Sequence, residues 1–534
     1  MIRAYSAQAV RDGESPLLAA GEPLMDRAAR ALADHVLARL RVEEQGTGPA
    51  ASGPAPAGPD SAGRTSAASS SAGSAPARVL VLAGSGANGG DGLHAAALLR
   101  REGVDARAIA TATALHEEGA AALRAAGGTI TALADTAPGM LEELLAGTAL
   151  VLDAMVGLGG RPEVPAALGP LLAVVRGSGS AVIAVDTPSF VDATTGEAAP
   201  DALVANETVT FGAVKAGLLL PGGAERSGTV HLVDIGLAPH LHAAPTVLRL
   251  EDADVRQLFP HPGRDATKYS RGVVALAAGS EQYPGAAVLA VSGAARTGAG
   301  MVRCLAPHAV LDLVLRERPE VVGHRIERAD GGPGCIDLAA VGRTDALVVG
   351  PGLPADDPRA RAGVDRLRKD SGTLTRGVLD AGALAALTAA DRFGADVVLT
   401  PHRGEAERLA QLLSLDPDRP GPLLAREIAR ATGATVLLKG AVTLIAPGDG
   451  GPLRAQDDAT SQLATAGTGD VLAGVLGALL AAGLSGPDAA ALAAILHGRA
   501  GRRASGDGLH PLLALDVAAH LPGTIGTILA GAQT

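Results

Sequence analysis

Short runs built almost wholly from Val, Ile, Leu and Ala recur along this chain, and they constrain its fold more than any other feature. They include "ARVLVLAG", "ALVLDAMVG", "SAVIAVDTPS", "ETVTFGAVKAG", "GVVALAAGS", "DALVVGPGL", "GVLDAG", "DVVLTPH" and "ATVLLKG". A strand with one wet face alternates apolar and polar residues; these runs do not alternate, so both of their faces are covered. Ala/Leu/Arg-rich stretches of helical character lie between them, which predicts parallel sheets with helices on both sides, a three-layer α/β arrangement. Polar residues gather just after each run, at the strand C-terminal end, the edge where open α/β sheets bind ligands. A chain of 534 residues is too long for one ordinary core. The alternation breaks at "IGLAPHLHAAPTVLRLEDADV", where Pro and His interrupt it, and a boundary near residue 240 gives domains of 1–240 and 241–534. No repeat relates the two halves, so two different domains are expected.

Composition removes several function classes. The formal charge of −11, with no long Lys/Arg run, argues against non-specific binding to nucleic acid or to an anionic membrane, so anionic ligands must be met locally. With 4 Phe, 3 Tyr and no Trp, the cores must be aliphatic. Cys304 and Cys335 form no CxxC pair, and no His cluster stands at metal-ligand spacing, so neither a disulfide framework nor a zinc site is supported. The N-terminal "MIRAYSAQAVRDGESP" lacks an apolar signal core, and the run 471–484, "VLAGVLGALLAAGL", is too short and Gly-broken to span a bilayer; a cytoplasmic protein is expected. In "GEPLMDRAARALADHVLARL", Leu24, Met25, Ala28, Leu32, Val36 and Leu40 share one helical face. The Pro/Gly/Ser/Ala text of 43–76 that follows cannot bury enough apolar surface to offset its ordering entropy, and a disordered insertion is expected there.

In the first half, "VLVLAGSGANGGDGLHAAALL" reads as strand, Gly-rich turn and helix, a place where helix-terminal N–H groups face an anion. Its spacing does not match the dinucleotide fingerprint with a ribose-binding acid. Two further strand ends, "LDAMVGLGGRPE" and "AVDTPSFVDATTGE", place Asp153 and Asp186 after buried runs, where a carboxylate needs a cation or hydrogen bonds to stay charged; a capping role for Asp186 is equally open. With Asn88 and Ser189, oxygen ligands for a hard monovalent cation are present. These motifs resemble the YjeF N-terminal family of NAD(P)H-hydrate epimerases over residues 1–236. The resemblance implies a Rossmann-like three-layer domain in which Asn88, Asp153 and Ser189 bind K+ and Asp186 is the acid/base. It also implies a hydrate site lined by Ala87, Asn88, Gly89, Gly90, Asp91, Gly157, Leu158, Gly159, Gly160, Arg161, Pro162, Glu163 and Asp186. Ala87, Leu158 and Phe190 replace Asn, Thr and Gly of the family pattern, and a ring at 190 is expected to narrow the pocket.

In the second half, "ATAGTGDVLAG" couples a Gly-rich turn to an apolar helix and carries one acid, Asp470, inside what reads as an anion site. An acid there suits a neutral hydroxyl standing beside a phosphate. Lys439 in "KGAVT" reads as a phosphate contact or a solvated strand-end lysine. His402 reads as a ligand residue or a turn cap, and Glu405 as a helix first-turn acid. The set resembles the ribokinase-like superfamily and, more closely, the YjeF C-terminal family of ADP- or ATP-dependent NAD(P)H-hydrate dehydratases, over residues 251–522. That implies a ribokinase-like three-layer domain, with Lys439, Gly440, Ala441, Val442, Thr443 and Gly469 on the adenine nucleotide. Ala287, Gly350, Gly352, His402 and Asp470 would meet the hydrate, with Asp470 as base. ADP as co-substrate, Mg2+, NADHX and NADPHX as substrates, and a homo-oligomer follow from the resemblance. A small-molecule kinase with a non-catalytic N-terminal binding domain remains the alternative.

Overall fold

The computed structural model describes residues 1–44, 77–137, 139–326, 341–371 and 374–531. From residue 45 on, the insertion expected at 43–76 lies outside the described residues, and the preceding helix runs Leu24–Glu44. The chain divides into two compact units, one of Tyr5–Leu218 with Gly222–Ala244, the other of Met1–Ala4, Leu219–Pro221 and Pro245–Thr534.

The first unit carries seven parallel strands in the order Ile130–Ala132, Asp105–Ala110, Arg78–Ala83, Thr148–Ala154, Ala181–Val185, Glu207–Phe211, Thr229–Val233. By chain position that is 3-2-1-4-5-6-7, a doubly wound sheet whose winding reverses between Arg78–Ala83 and Thr148–Ala154. Alternate residues of the strand Arg78–Ala83 feed opposite cores. Val79, Val81 and Ala83 pack with Leu32, Val36 and Leu93, while Leu80 and Leu82 pack with Leu171 and Leu172. This is why 79–83 contain no polar position: neither face is available to water. On the helix Leu24–Glu44, Leu24, Ala28, Leu32, Val36 and Leu40 are all buried, the face expected from their spacing.

In the second unit, parallel strands follow the order Val322–Arg325, Met301–Ala306, Val273–Ala277, Ala346–Val349, Gly377–Leu379, Val397–Leu399, Thr435–Leu438, again 3-2-1-4-5-6-7. Antiparallel strands Thr443–Ala446 and Leu453–Gln456 extend it, followed by Val247–Arg249. The chain's first residues then pair antiparallel with this last strand, Ile2 opposite Arg249 and Ala4 opposite Val247. The apolar run near 471–484 forms most of the helix Thr468–Ala481, buried along nearly its whole length. It lies against Pro284–Thr297 at backbone distance, because a Cβ on Gly474 would stand 1.9 Å from the Ala290 carbonyl oxygen and one on Gly293 2.3 Å from that of Val471. Among the described residues no helix is long and apolar enough to cross a membrane.

Candidate active sites

The first unit has a cleft of about 450 Å³ at the point where its winding reverses. Its walls come from the turns after the two strands that flank that point: Ser85, Gly86, Ala87 and Asn88 from one, and Met155, Val156, Gly157, Leu158 and Gly159 from the other. Asp186, Asp91 and Glu14 complete its polar side. Gly160, Arg161, Pro162 and Glu163 are not among its lining residues, nor are Gly89 and Gly90. Gly89 instead lets the helix Ala87–Arg101 touch the strand-end turn, since a Cβ there would lie 2.1 Å from the Gly84 carbonyl oxygen.

Asp186 sits just past the strand Ala181–Val185 with φ 65, a left-handed conformation that Asp tolerates better than most residues. Its Oδ1 accepts from the Phe211 N–H at 3.1 Å, from the Thr210 hydroxyl at 3.3 Å and from the Lys215 ammonium, while Oδ2 receives none of these. Lys215 is fully buried and also donates to the Phe211 carbonyl at 2.9 Å and to Thr210 Oγ1 at 3.1 Å. Sequence reasoning missed it: "ETVTFGAVKAG" reads as one strand run, whereas the strand ends at Phe211 and a short strand Val214–Lys215 follows, from which Nζ reaches Asp186. Burial, then the neighbouring Asp186 and Glu14, push the Asp91 carboxyl well above the usual carboxylate range, with Lys215 opposing. Burial raises Glu14 as well, with Lys215 again opposing. Asp91 and Glu14, both raised, can therefore hold and release a proton inside the cleft.

Behind this site, Asp153 is buried and accepts from Ser189 N–H at 2.9 Å, Ser189 Oγ at 2.5 Å and Met155 N–H at 3.5 Å. Asn88 is close to Gly157, whose Cβ would fall 3.1 Å from Asn88 Oδ1, and both polar atoms of the Asn88 side chain are buried without a hydrogen-bond partner. Burial raises the Asp153 carboxyl despite the two bonds from Ser189. An orphaned amide oxygen and a desolvated carboxylate are what an oxygen-ligated cation would satisfy. Phe190 does not narrow the cleft. Its ring is 4% exposed and packs in the core with Leu171, Leu172 and Val151, at a backbone φ of 66 that favours glycine.

In the second unit, Asp470 lies in the first turn of Thr468–Ala481, whose preceding residue Gly467 has φ 91 and offers no side-chain cap. The first N–H groups of this helix lack intrahelical partners and face the turn, a geometry suited to an anion. Lys439, at the end of the strand Thr435–Leu438, reaches the same place: a Cβ on Gly469 would stand 3.7 Å from its Nζ. Its ammonium donates to Asp380 Oδ1 at 3.0 Å, and Glu405 Oε2 is 3.9 Å away. Thr400 donates to the same Asp380 oxygen at 2.8 Å. Burial, and next the charge of Asp380, push the Asp470 carboxyl up to about 7, with Lys439 opposing. Gly440, Ala441 and Val442 form the tight connection from this strand to Thr443–Ala446.

His402 caps the helix Arg403–Leu412, its Nδ1 accepting from Gly404 N–H at 3.1 Å and Glu405 N–H at 3.4 Å, and Glu405 returns a bond to the His402 N–H at 2.9 Å. The capping reading of His402 and the first-turn reading of Glu405 thus describe one capping box. Gly350 and Gly352, with φ 120 and 64, follow the strand Ala346–Val349 at the second unit's reversal of winding; Gly352 packs on Ala286, next to Ala287, which is fully buried. Asp380 and His497 went unassigned from sequence. Asp380 had the same signature as Asp186, an acid directly after a buried run. His497 had none: it is buried, held neutral with its pKa pushed down to about 4 by burial, and its Nε2 lies 2.9 Å from the Thr468 carbonyl oxygen beneath the anion turn.

Comparison with known proteins matches both units. The family described as YjeF-related protein N-terminus matches residues 21–217, and that described as NAD(P)H-hydrate dehydratase matches 274–522. The bifunctional NAD(P)H-hydrate repair enzyme of Mycobacterium leprae is 38% identical over 512 residues, covering 94% of this chain and 94% of its own. That of Mycobacterium tuberculosis is 38% identical over 496 residues, covering 91% of each. Among solved structures, the ADP/ATP-dependent NAD(P)H-hydrate dehydratase of Bacillus subtilis, co-crystallised with ATP and Mg2+, is 28% identical with a TM-score of 0.45, covering 52% of this chain and 97% of its own.

Proposed function

Because the chain belongs to the family of bifunctional NAD(P)H-hydrate repair enzymes, we propose how its two sites divide that work. The first unit is the epimerase and the second the ADP-dependent dehydratase. The observation that carries the assignment of residues is the convergence of Asp470 and Lys439 on Gly469, a carboxylate with a raised pKa beside an ammonium and an uncapped helix N-terminus.

In the first cleft the hydrate is a carbinolamine. Asp186, held at Oδ1 by Lys215 and Phe211, presents Oδ2 to the ring hydroxyl, and a proton held on Asp91 or Glu14 passes to the leaving oxygen. The ring nitrogen lone pair expels water, and water returning to the opposite face gives the proton back, so R and S forms interconvert with no net consumption. K+ fits at Asn88, Asp153 and Ser189, where it would neutralise the buried Asp153 and fix the Val156–Gly157 turn that walls the cleft; the unpartnered Asn88 side chain supports this.

In the second site Asp470 takes the proton of the S-hydrate hydroxyl, which attacks the terminal phosphorus of ADP; AMP leaves, and the P–O bond to the ring oxygen forms. Loss of phosphate with a proton from the adjacent ring carbon restores the dihydronicotinamide. The 465–469 turn and Lys439 hold the transferring phosphoryl group, and 439–443 border the nucleotide. Were Mg2+ bound with the nucleotide, Asp380 would be the nearby carboxylate, its Oδ1 already held by Lys439 and Thr400, and the ion would supply neutralisation of phosphate charge.

The test is incubation of the full chain with mixed R and S hydrates plus ADP or ATP, following recovery of reduced-cofactor absorbance. Complete recovery, faster than spontaneous epimerisation allows, is expected. Recovery of the S fraction alone removes the epimerase assignment, and phosphorylation of a small alcohol without recovery returns the kinase alternative.

A further inference from the structure

We propose that His35, Glu207 and His231 form a binding site for a zinc-class divalent metal at the end of the first unit's sheet opposite the cleft. The register creates it. Val209 pairs with His231 in the parallel strands Glu207–Phe211 and Thr229–Val233, so His231 and Glu207, two residues before Val209, project from the same face. Val209 packs with Leu32 and Val36 of the helix Leu24–Glu44, and His35 comes from that helix. Glu207 opens the strand that Phe211 closes, and Phe211 is the residue that binds Asp186, so the cluster and the acid/base stand about 13 Å apart along one strand.

The three donor atoms lie within 4.8 Å of one another. Glu207 Oε2 is 2.7 Å from His35 Nε2 and 3.1 Å from His231 Nε2, and the two imidazole centroids are 4.5 Å apart. Ligands at 2.0–2.1 Å from a tetrahedral zinc are spaced about 3.3 Å apart, so small adjustments admit an ion. His231 Nε2 is buried, and Glu207 Oε2, 3.1 Å away, is the carboxylate oxygen it meets. Glu207's other oxygen accepts from Arg39 Nε at 3.0 Å, the outer bond that orients a ligating carboxylate. Arg39, Glu207 and His231 also line an open cleft of about 1260 Å³, which supplies a route from solvent and room for a water as fourth ligand. Two imidazoles and one carboxylate select zinc, cobalt or nickel over Mg2+ or K+. The bound ion would staple the helix Leu24–Glu44 to the two strands, at the opposite end of the strand Glu207–Phe211 from Asp186. Sequence spacing could not reveal it, since His35 and Glu207 are 172 residues apart.

The experiment titrates tag-free, chelator-treated full-length protein with Co2+ and follows the visible d–d absorption, with Zn2+ as competitor and thermal unfolding as a second readout. One equivalent of Co2+ should bind, be displaced by Zn2+, and bind at least ~10-fold more weakly to His231→Ala and to His35→Gln. Zn2+ should raise the unfolding temperature of the wild-type chain but not of either variant that folds. Equal Co2+ binding by wild type and variants, or no saturable d–d band in the wild type, overturns the site. If the variants do not fold, an unchanged wild-type unfolding temperature with and without Zn2+ does the same.

Discussion

Replacing Asp470 by Asn should abolish dehydration while making the second unit more stable, and the structure sets the size of the second effect. The Asp470 carboxyl moves from an ordinary 3.8 to about 7, chiefly through burial and next through Asp380. That is roughly 3 pH units, or about 4 kcal/mol at 1.36 kcal/mol per unit, and because Asp470 is only partly buried the figure is a ceiling. The folded pKa lies above the unfolded one, so the folded state holds this proton more tightly. The resulting stabilisation is complete below about pH 4 and is lost as pH rises through about 7. Asn carries no proton to lose. The stability gap between Asp470→Asn and wild type should therefore widen by up to about 3 kcal/mol between pH 5 and pH 8 and then level off. The assay is denaturant unfolding of the full chain across that range, following the transition that ADP shifts. Dehydration should fall about 10²–10⁴-fold in the same variant, as for loss of a general base, and the wild-type rate should rise with pH up to about 7. A variant that is less stable than wild type at pH 8, or a gap that does not change with pH, refutes the reasoning. Asp470 would then be a structural helix acid, whatever happens to activity.

Lys215→Met leaves the Asp186 carboxylate buried without its ammonium, and should cost about 3–5 kcal/mol in denaturant unfolding together with R/S exchange; a stable, fully active variant places Lys215 outside the reaction. Asn88→Ala should abolish any K+ stimulation of epimerisation while leaving dehydration unchanged, measured on separated R and S hydrates in K+-free and K+ buffers. Gly474→Ala puts a methyl 1.9 Å from the Ala290 carbonyl oxygen, so it should cost at least ~1–3 kcal/mol and lower dehydratase kcat without affecting the epimerase. Phe190→Ala should cost about 3–5 kcal/mol, with the strain of φ 66 kept because Ala retains the Cβ, yet leave epimerase KM unchanged; a shift in KM would mean that the ring borders the hydrate.

What could be read from sequence follows from how each residue reaches its site. Asn88, Asp153, Asp186 and Asp470 are placed by their own strand or helix end: a buried run stops, a short polar residue follows, and the local text carries the position. Lys215 lies on the short strand Val214–Lys215, and its Nζ reaches back to Phe211, Thr210 and a carboxylate 29 residues earlier; nothing adjacent to it in sequence marks it. Asp380 had the local signature and could have been read. Phe190 shows the converse limit. Its position after "PS" told where the backbone runs but not which side of it the ring takes, and a residue at φ 66 next to the cleft turned its side chain into the core. The shared strand order of the two units was also hidden, because a strand buried on both faces carries no mark of its neighbours. That order nonetheless explains why two unrelated sequences place their chemistry alike. In each unit the winding reverses beside the first strand, the turns there are freed from covering helices, and a glycine-rich strand end meets an acid from a later strand or helix. A lysine then reaches each acid's neighbourhood from farther along the chain, Lys215 to Asp186 and Lys439 to Asp380 and Asp470. The first lysine is locked on its acid, and in the proposed epimerisation it would keep that carboxylate in place. The second is bound mainly to Asp380; burial, and next the charge of Asp380, raise the Asp470 carboxyl, which in the proposed mechanism would take the hydroxyl proton.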